Sequence, residues 1–117
     1  MSFLSSLFSG SLLNSENFEV LDKTEFKRAI QQKNIQLIDV RTPREYNGGH
    51  IGKAVNIDFF QTNSFKMAFE MLDKKKPVYL YCRTGSRSRK AAQKVIELGF
   101  EKVYDLKGGY LQWELQS

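Results

Sequence analysis

The sequence predicts an α/β domain with a central parallel five-stranded sheet that is flanked by helices on both faces. Short stretches rich in β-branched and aromatic residues alternate with segments whose apolar residues recur every three or four positions. This alternation is typical of parallel sheets, because parallel strands need a crossover connection that is usually a helix. The length of 117 residues and the apolar fraction of 41% suit one domain with one sizeable core.

In the first half of the chain, two predicted strands are each followed by a helix start. The strands are residues 18–21 and 35–40. Asp22 has an acid three residues later, as in a capping box, and Thr42 is followed by Pro43 at the first helical position. The second helix must be short, because glycines occupy positions 48 and 49. The first helix is expected to bury Phe26, Ala29 and Ile30 and to end at Asn34.

The second half continues the alternation. Strands are predicted at residues 54–57, 77–81 and 103–106. One helix is predicted over residues 64–72, where Phe65, Ala68, Phe69 and Leu72 have helical spacing. Another is predicted from Ser88 to the glycine at position 99, and a last amphipathic turn or two follows Gly108 and Gly109.

The single cysteine, Cys82, lies where the fourth predicted strand ends and a loop runs into a helix. Ligands bind at this carboxyl edge in open parallel sheets. The free N–H groups and the dipole of a helix N-terminus favour an anion there, and Gly85 lets the loop backbone curl so that its N–H groups face inward. Beside Arg83 and Arg87, a thiol at this position ionises readily. We therefore predict a nucleophilic Cys82 in an anion cradle, in preference to an ordinary buried cysteine.

The net charge of +5 does not by itself predict nucleic-acid binding, because part of the excess lies beside Cys82. Five basic residues and no acid occur from Arg83 to Lys94, and a small anionic substrate explains this cluster, so we predict no nucleic-acid partner. One cysteine and one histidine cannot close a structural metal site, so we predict no metal and no cofactor. A reactive free thiol fits a reducing cytosol, which predicts a cytoplasmic protein.

Residues 1–17 are predicted to form an N-terminal arm, separate from the domain at residues 18–117. The arm contains six serines, and its Phe and Leu residues are three or four positions apart. It lacks the basic residues of a secretory signal or a membrane-surface helix, and it is too short and polar to be a transmembrane segment. We expect a partly helical arm that packs on the domain. Self-association and membrane contact remain alternatives, so monomer and weak dimer both stay open.

The sequence resembles the single-domain rhodanese (thiosulfate sulfurtransferase-like) family in three stretches. They are L-I-D-V-R-T-P-R-E-Y-N-G-G-H-I-G-K-A-V-N-I at 37–57, Y-C-R-T-G-S-R-S at 81–88 and L-K-G-G-Y-L-Q-W at 106–113. The resemblance covers about residues 18–116 and implies a rhodanese-like α/β fold. It also implies a sulfurtransferase in which Cys82 becomes a persulfide.

In the implied reaction, sulfane sulfur from thiosulfate, a polysulfide or a persulfide passes through Cys82 to a thiol or cyanide acceptor. Thiolate attack at sulfur needs a good anionic leaving group and no general base. Arg83 and Arg87 are expected to attract the small anionic donor, while loop N–H groups hold the terminal sulfur. The predicted substrate-binding residues are Arg83, Thr84, Gly85, Ser86, Arg87 and Ser88. The physiological donor and the acceptor, a small thiol or a protein, stay open.

Two other functions remain open. Phosphatases and arsenate reductases of the related cysteine-loop type resemble this chain, but their pattern calls for five residues between the cysteine and the arginine. Only four residues separate Cys82 from Arg87, so the cradle is smaller and favours a single sulfur atom over a phosphate ester. The third candidate is a silent rhodanese module that binds a partner protein, and such modules often lack the cysteine that this chain retains.

Other polar and aromatic residues of these stretches are assigned structural roles. Asp39, Arg41 and Glu45 are interpreted as a buried ion-pair network at the end of the second strand. His50 is interpreted as a structural hydrogen-bonding residue, because persulfide chemistry needs no base. Three aromatic residues are expected in the core, namely Tyr81, Tyr110 and Trp113.

Overall fold

A computed structural model describes residues 16–115 and confirms the predicted parallel sheet. The strands in these residues are β1 (Phe18–Leu21), β2 (Gln36–Asp39), β3 (Val55–Asn56), β4 (Val78–Tyr81) and β5 (Val103–Leu106). All neighbouring strands run parallel, in the order β1-β5-β4-β2-β3. The strand that precedes Cys82, β4, is therefore the central strand, and the cysteine lies at the middle of the carboxyl edge.

Helices connect the strands as predicted. They are α1 (Lys23–Ala29), α2 (Pro43–Asn47), α3 (Thr62–Glu70), α4 (Ser86–Glu97) and α5 (Gly109–Glu114). Both predicted capping boxes form: Asp22 and Glu25 exchange hydrogen bonds at the start of α1, and Thr42 and Glu45 do so at the start of α2. Each box satisfies N–H groups that a helix start otherwise leaves without partners.

Two element boundaries differ from the prediction in ways that affect the site. The third strand is only two residues long, because the sheet ends there and only β2 pairs with it. The fourth helix begins at Ser86, two residues before the predicted start at Ser88. The helical apolar pattern becomes visible only at Ala91, so periodicity misses the polar first turn. Arg87 and Ser88 consequently belong to the helix.

The sheet buries both faces, in two clusters. One cluster lies under α3 and α4 and contains Val78, Leu80 and Cys82. The other lies under α1 and α5 and contains Tyr79 and Tyr81. Side chains of a strand alternate between faces, so the fully buried β4 contributes to both clusters. Cys82 therefore shares a face of the sheet with the first turn of α4.

The predicted arm falls mainly on residues 1–15, which lie outside the described residues. Within residues 16–115, no helix has the length and apolar character needed to cross a membrane.

Candidate active site

Cys82 is located at the floor of the loop between β4 and α4. Its side chain is 1% exposed. The backbone N–H of Gly85 donates to Sγ at 3.0 Å, and the thiol donates to Ser88 Oγ at 3.4 Å. The loop thus curls around the sulfur, as the position of Gly85 suggested.

The backbone of this loop presents hydrogen-bond donors toward an anion. Gly85 has a φ of +116°, in the left-handed region that favours glycine, and it is the N-cap residue directly before α4. The N–H groups of the first turn, from Ser86 to Ser88, have no carbonyl four residues earlier within the helix. Together with the dipole of a 12-residue helix, they favour negative charge at the loop.

The start of α5 holds the loop from its other side. Tyr110 N donates to the carbonyl of Cys82 at 2.8 Å, and Leu111 N donates to the carbonyl of Arg83 at 3.0 Å. These bonds engage two carbonyls of the loop with α5, while the Gly85 N–H donates to the sulfur. The Gly108-Gly109 stretch, which the sequence indicated only as a helix start, therefore shapes the cysteine loop.

Arg87 is held by an acid from a distant part of the chain. Its guanidinium binds both carboxylate oxygens of Glu45, at 2.8 and 2.9 Å, and also lies 5.4 Å from the ring of Phe60. The ion pair with Arg87 and the hydrogen bonds from Thr42 lower the pKa of Glu45 to about 2. The carboxylate of Glu45 thus largely neutralises the positive charge of Arg87, and sequence analysis did not predict this pair.

We expect Glu45→Gln to lower the free energy of unfolding at pH 7 by about 1–2 kcal/mol, after allowance for solvent screening. Because the pKa of Glu45 is lowered from 4.5 to about 2 in the folded state, its contribution is present above pH 4.5 and is lost as the pH falls toward 2. Urea unfolding at several pH values measures this difference. Glu70→Gln is the control, since Glu70 pairs with Lys74 at the surface, and a constant difference at all pH values would contradict the assignment.

The interpretation of Asp39, Arg41 and Glu45 as one buried ion-pair network is confirmed for Asp39 and Arg41 but wrong for Glu45, which is partly exposed and pairs with Arg87. The Asp39 and Arg41 side chains are 0% and 4% exposed, and Arg41 Nη2 lies 2.7 Å from Asp39 Oδ2. The same Nη2 donates to the carbonyl of Gly49, and the guanidinium lies 4.3 Å from the ring of Tyr110. This pair joins the end of β2 to the turn after α2 and so supports the rim of the site.

The aromatic residues and His50 also have structural contacts. Tyr81 is fully buried, and its hydroxyl accepts a hydrogen bond from Ile51 N. His50 stacks on Tyr46 at 3.9 Å, and its Nδ1 lies 3.1 Å from the Tyr46 carbonyl. Tyr110 and Trp113 are partly buried and pack against the cluster under α1 and α5. These contacts agree with the roles that the sequence predicted.

Two features of the site were not anticipated. A surface pocket of about 240 Å³ adjoins the cysteine loop, and its lining includes Arg44, Arg83 and Tyr110. Asp105 lies fully buried near the first turn of α4. Both residues could have been noticed in the sequence. Arg44 follows a helix start at the carboxyl edge, and Asp105 is an acid within an apolar strand. Residues 16–115 contain no cluster of three or more side chains suited to a metal ion.

Comparisons with known proteins agree with this geometry. Residues 22–116 match the model of the Rhodanese-like domain family. The chain is 41% identical to the uncharacterized protein YqhL of Bacillus subtilis over 81% of this chain and 71% of that protein. It is 31% identical to the thiosulfate sulfurtransferase GlpE of Coxiella burnetii over 83% and 88% of the two chains. The crystal structure of the Alr3790 protein from Anabaena superposes with a TM-score of 0.71 at 27% identity, covering 80% and 75% of the chains. The chain therefore belongs to the rhodanese-like domain family.

Proposed function

We propose that the chain is a sulfurtransferase of the thiosulfate sulfurtransferase type that carries sulfane sulfur as a persulfide on Cys82. The observation that carries the proposal is the Gly85 N–H at 3.0 Å from Sγ, within a loop that leads into a helix N-terminus. A negatively charged sulfur held by backbone N–H groups and a helix dipole is stabilised without a general base. The similarity to a thiosulfate sulfurtransferase supports the same reaction.

The reaction has two steps at sulfur. The Cys82 thiolate attacks the outer sulfur of thiosulfate, a new S–S bond forms, and the old S–S bond breaks with its electron pair leaving on sulfite. An acceptor thiolate or cyanide then attacks the terminal sulfur of the persulfide, and the bonding pair returns to Cys82 as thiolate. In this proposal, N–H groups of the loop and of the first turn of α4 stabilise the charged terminal sulfur.

The positive charge at the mouth of the site supports an anionic donor, but it comes from a different pair of arginines from the predicted one. Arg87 is engaged by Glu45, so Arg83 and Arg44 in the adjoining pocket are the arginines better placed to attract the donor. Both are exposed side chains at the carboxyl edge. Arg87 then acts mainly by holding the first turn of α4 against α2.

We expect Arg83→Gln to raise the KM for thiosulfate about threefold to tenfold while kcat changes less, because the arginine attracts the dianion before reaction. Steady-state kinetics with cyanide as acceptor at low and high salt measure this effect. The increase should shrink at high salt, where exposed charges are screened. Arg28→Gln on α1 is the matched control. Equal KM values for the Arg83 variant and the wild type would argue against this role.

The experiment that tests the function is incubation of the reduced protein with thiosulfate or polysulfide, followed by intact mass measurement. The proposal expects the mass of one added sulfur atom, which cyanide then removes. Hydrolysis of an aryl phosphate without sulfur uptake would instead support the phosphatase class. If neither sulfur uptake nor phosphate hydrolysis occurs, the result would support a module that binds a partner protein. A reactive free thiol persists in a reducing compartment, which supports a cytoplasmic location.

A further inference from the structure

A pocket between α3 and α4 lies outside the site described above and has a volume of about 230 Å³. Its apolar lining includes Leu98 and the rings of Phe59 and Phe65, which pack edge to face with their centres 5.7 Å apart. Phe65 belongs to the buried cluster that contains Cys82, and Phe59 and Leu98 pack against that cluster. The pocket therefore lies on the same face of the sheet as the cysteine.

Lysine side chains give this pocket a positive rim. Lys66 of α3 and Lys94 of α4 line it, and Lys94 Nζ lies 5.9 Å from the centre of the Phe59 ring. Lys90 lies one turn before Lys94 on the same side of α4. All three lysines are exposed, and none forms an ion pair within residues 16–115. Glu97 is the single acid in the pocket lining, so the net charge of the rim favours an acidic ligand.

An exposed phenylalanine connects this pocket with the mouth of the cysteine loop. Phe60 directly follows Phe59 and is 60% exposed, and its ring lies 5.4 Å from the Arg87 guanidinium. Arg87 and Lys94 are two turns apart and so lie on the same side of α4. At 1.5 Å of rise per residue, about 10 Å of helix separates them. Exposed apolar side chains beside a reactive site are typical of a surface that binds a partner.

We propose that this pocket, together with Phe60, docks an acidic segment of a protein that accepts sulfur from Cys82. An apolar side chain of the segment fills the pocket, its carboxylates pair with the lysines, and a cysteine of the same segment reaches the loop. The inference rests on the proposed function: the acceptor thiolate attacks the terminal sulfur of the Cys82 persulfide, the S–S bond breaks, and its electron pair returns to Cys82. A small thiol cannot span the distance from the loop to the pocket, whereas a few extended residues can.

Other occupants match the pocket less well. Residues 1–15 contain apolar side chains but no acid, and a second copy of the chain carries the same net charge of +5. Neither therefore complements the lysines. Single-stranded nucleic acid matches the charge, but base stacking needs exposed rings, and Phe65 is only 3% exposed. An acidic peptide with an apolar anchor complements both the lysines and the recessed rings.

Docking is tested by the binding of a synthetic peptide to the full chain. The peptide has a serine, a phenylalanine three positions later to cover about 10 Å, and glutamates at the other positions. Fluorescence anisotropy of the labelled peptide measures the Kd. Lys94→Glu should raise the Kd about fivefold to twentyfold, because it replaces attraction by repulsion. Lys27→Glu is the matched control on α1, which packs on the opposite face, and it should change the Kd less than about twofold.

The apolar part of the site is tested by changing the peptide instead of the protein. A peptide with serine in place of the phenylalanine should bind at least about tenfold more weakly. Equal binding of the two peptides would overturn the proposal, as would equal Kd values for Lys94→Glu and Lys27→Glu. So would displacement of the peptide by a single-stranded RNA of equal charge at the same concentration. Dimers that form with rising protein concentration and are lost in Lys94→Glu would assign the pocket to a second copy and also overturn it.

Sulfur transfer separates this inference from the proposed function. A peptide with cysteine in place of its first serine serves as the acceptor, with thiosulfate as the donor and cyanide as the acceptor in a parallel assay. Lys94→Glu should raise the KM for the peptide at least about fivefold and leave turnover with cyanide within about twofold. Peptide binding without any sulfur uptake would contradict the proposed function alone. Transfer to the peptide with equal KM values in the wild type and Lys94→Glu would contradict the docking site alone.

Discussion

Replacement of Cys82 by serine should abolish sulfur uptake from thiosulfate and reduce transfer to cyanide by at least about a thousandfold. A serine hydroxyl is not ionised at neutral pH and cannot form a persulfide, whereas the hydrogen bonds of the loop remain available to its oxygen. Intact mass after thiosulfate treatment detects the missing sulfur atom. Cyanide-dependent turnover then measures the residual rate.

The fold should survive this substitution, because serine is slightly smaller than cysteine and can accept from the Gly85 N–H that binds the sulfur. Equal melting temperatures within a few degrees would show that lost activity reflects lost chemistry. Ser86→Ala is a useful control, because Ser86 is an exposed residue of the same first turn. The substitution removes its hydroxyl and keeps its backbone N–H. Sulfur uptake by Cys82→Ser would contradict the proposed persulfide.

The elements that sequence reasoning located are those encoded by neighbouring residues. Capping boxes, a proline at the first position of α2 and the alternation of strands and helices all depend on residues less than a turn or two apart. The position of Cys82 after a buried strand was predicted for the same reason. Its place on the central strand was not, because strand order depends on how distant segments pack.

The contacts that sequence reasoning missed join residues far apart in the chain. Glu45 and Arg87 are 42 positions apart, and neither motif alone indicates that they form a bidentate pair. The early start of α4 was missed because its first turn is polar and lacks a side-chain cap. Asp105 was visible only as an acid in a strand, and its contact with Arg89 depends on the packing of α4 on β5.

Gly109→Ala should lower the free energy of unfolding by at least about 3 kcal/mol. Gly109 has a φ of +63°, and an added Cβ would lie 2.5 Å from the Arg83 carbonyl oxygen and 2.6 Å from that of Cys82. These are backbone atoms of the cysteine loop, so they cannot move aside as a flexible side chain would. Urea unfolding measures the loss, and iodoacetamide alkylation of any folded fraction should show altered reactivity of Cys82.

Gly52→Ala separates the two causes of this effect. Gly52 also has a positive φ, +46°, but an added Cβ would meet no atom within 4 Å. Its substitution should cost only about 1 kcal/mol of backbone strain and leave Cys82 reactivity unchanged. Similar losses of unfolding free energy in both variants would mean that the close approach of α5 to the loop contributes little to stability. A much larger loss for Gly109→Ala would indicate that the start of α5 and the cysteine loop form one unit. In that unit a glycine lets the two backbones approach closely and keeps the Gly85 N–H directed at the sulfur.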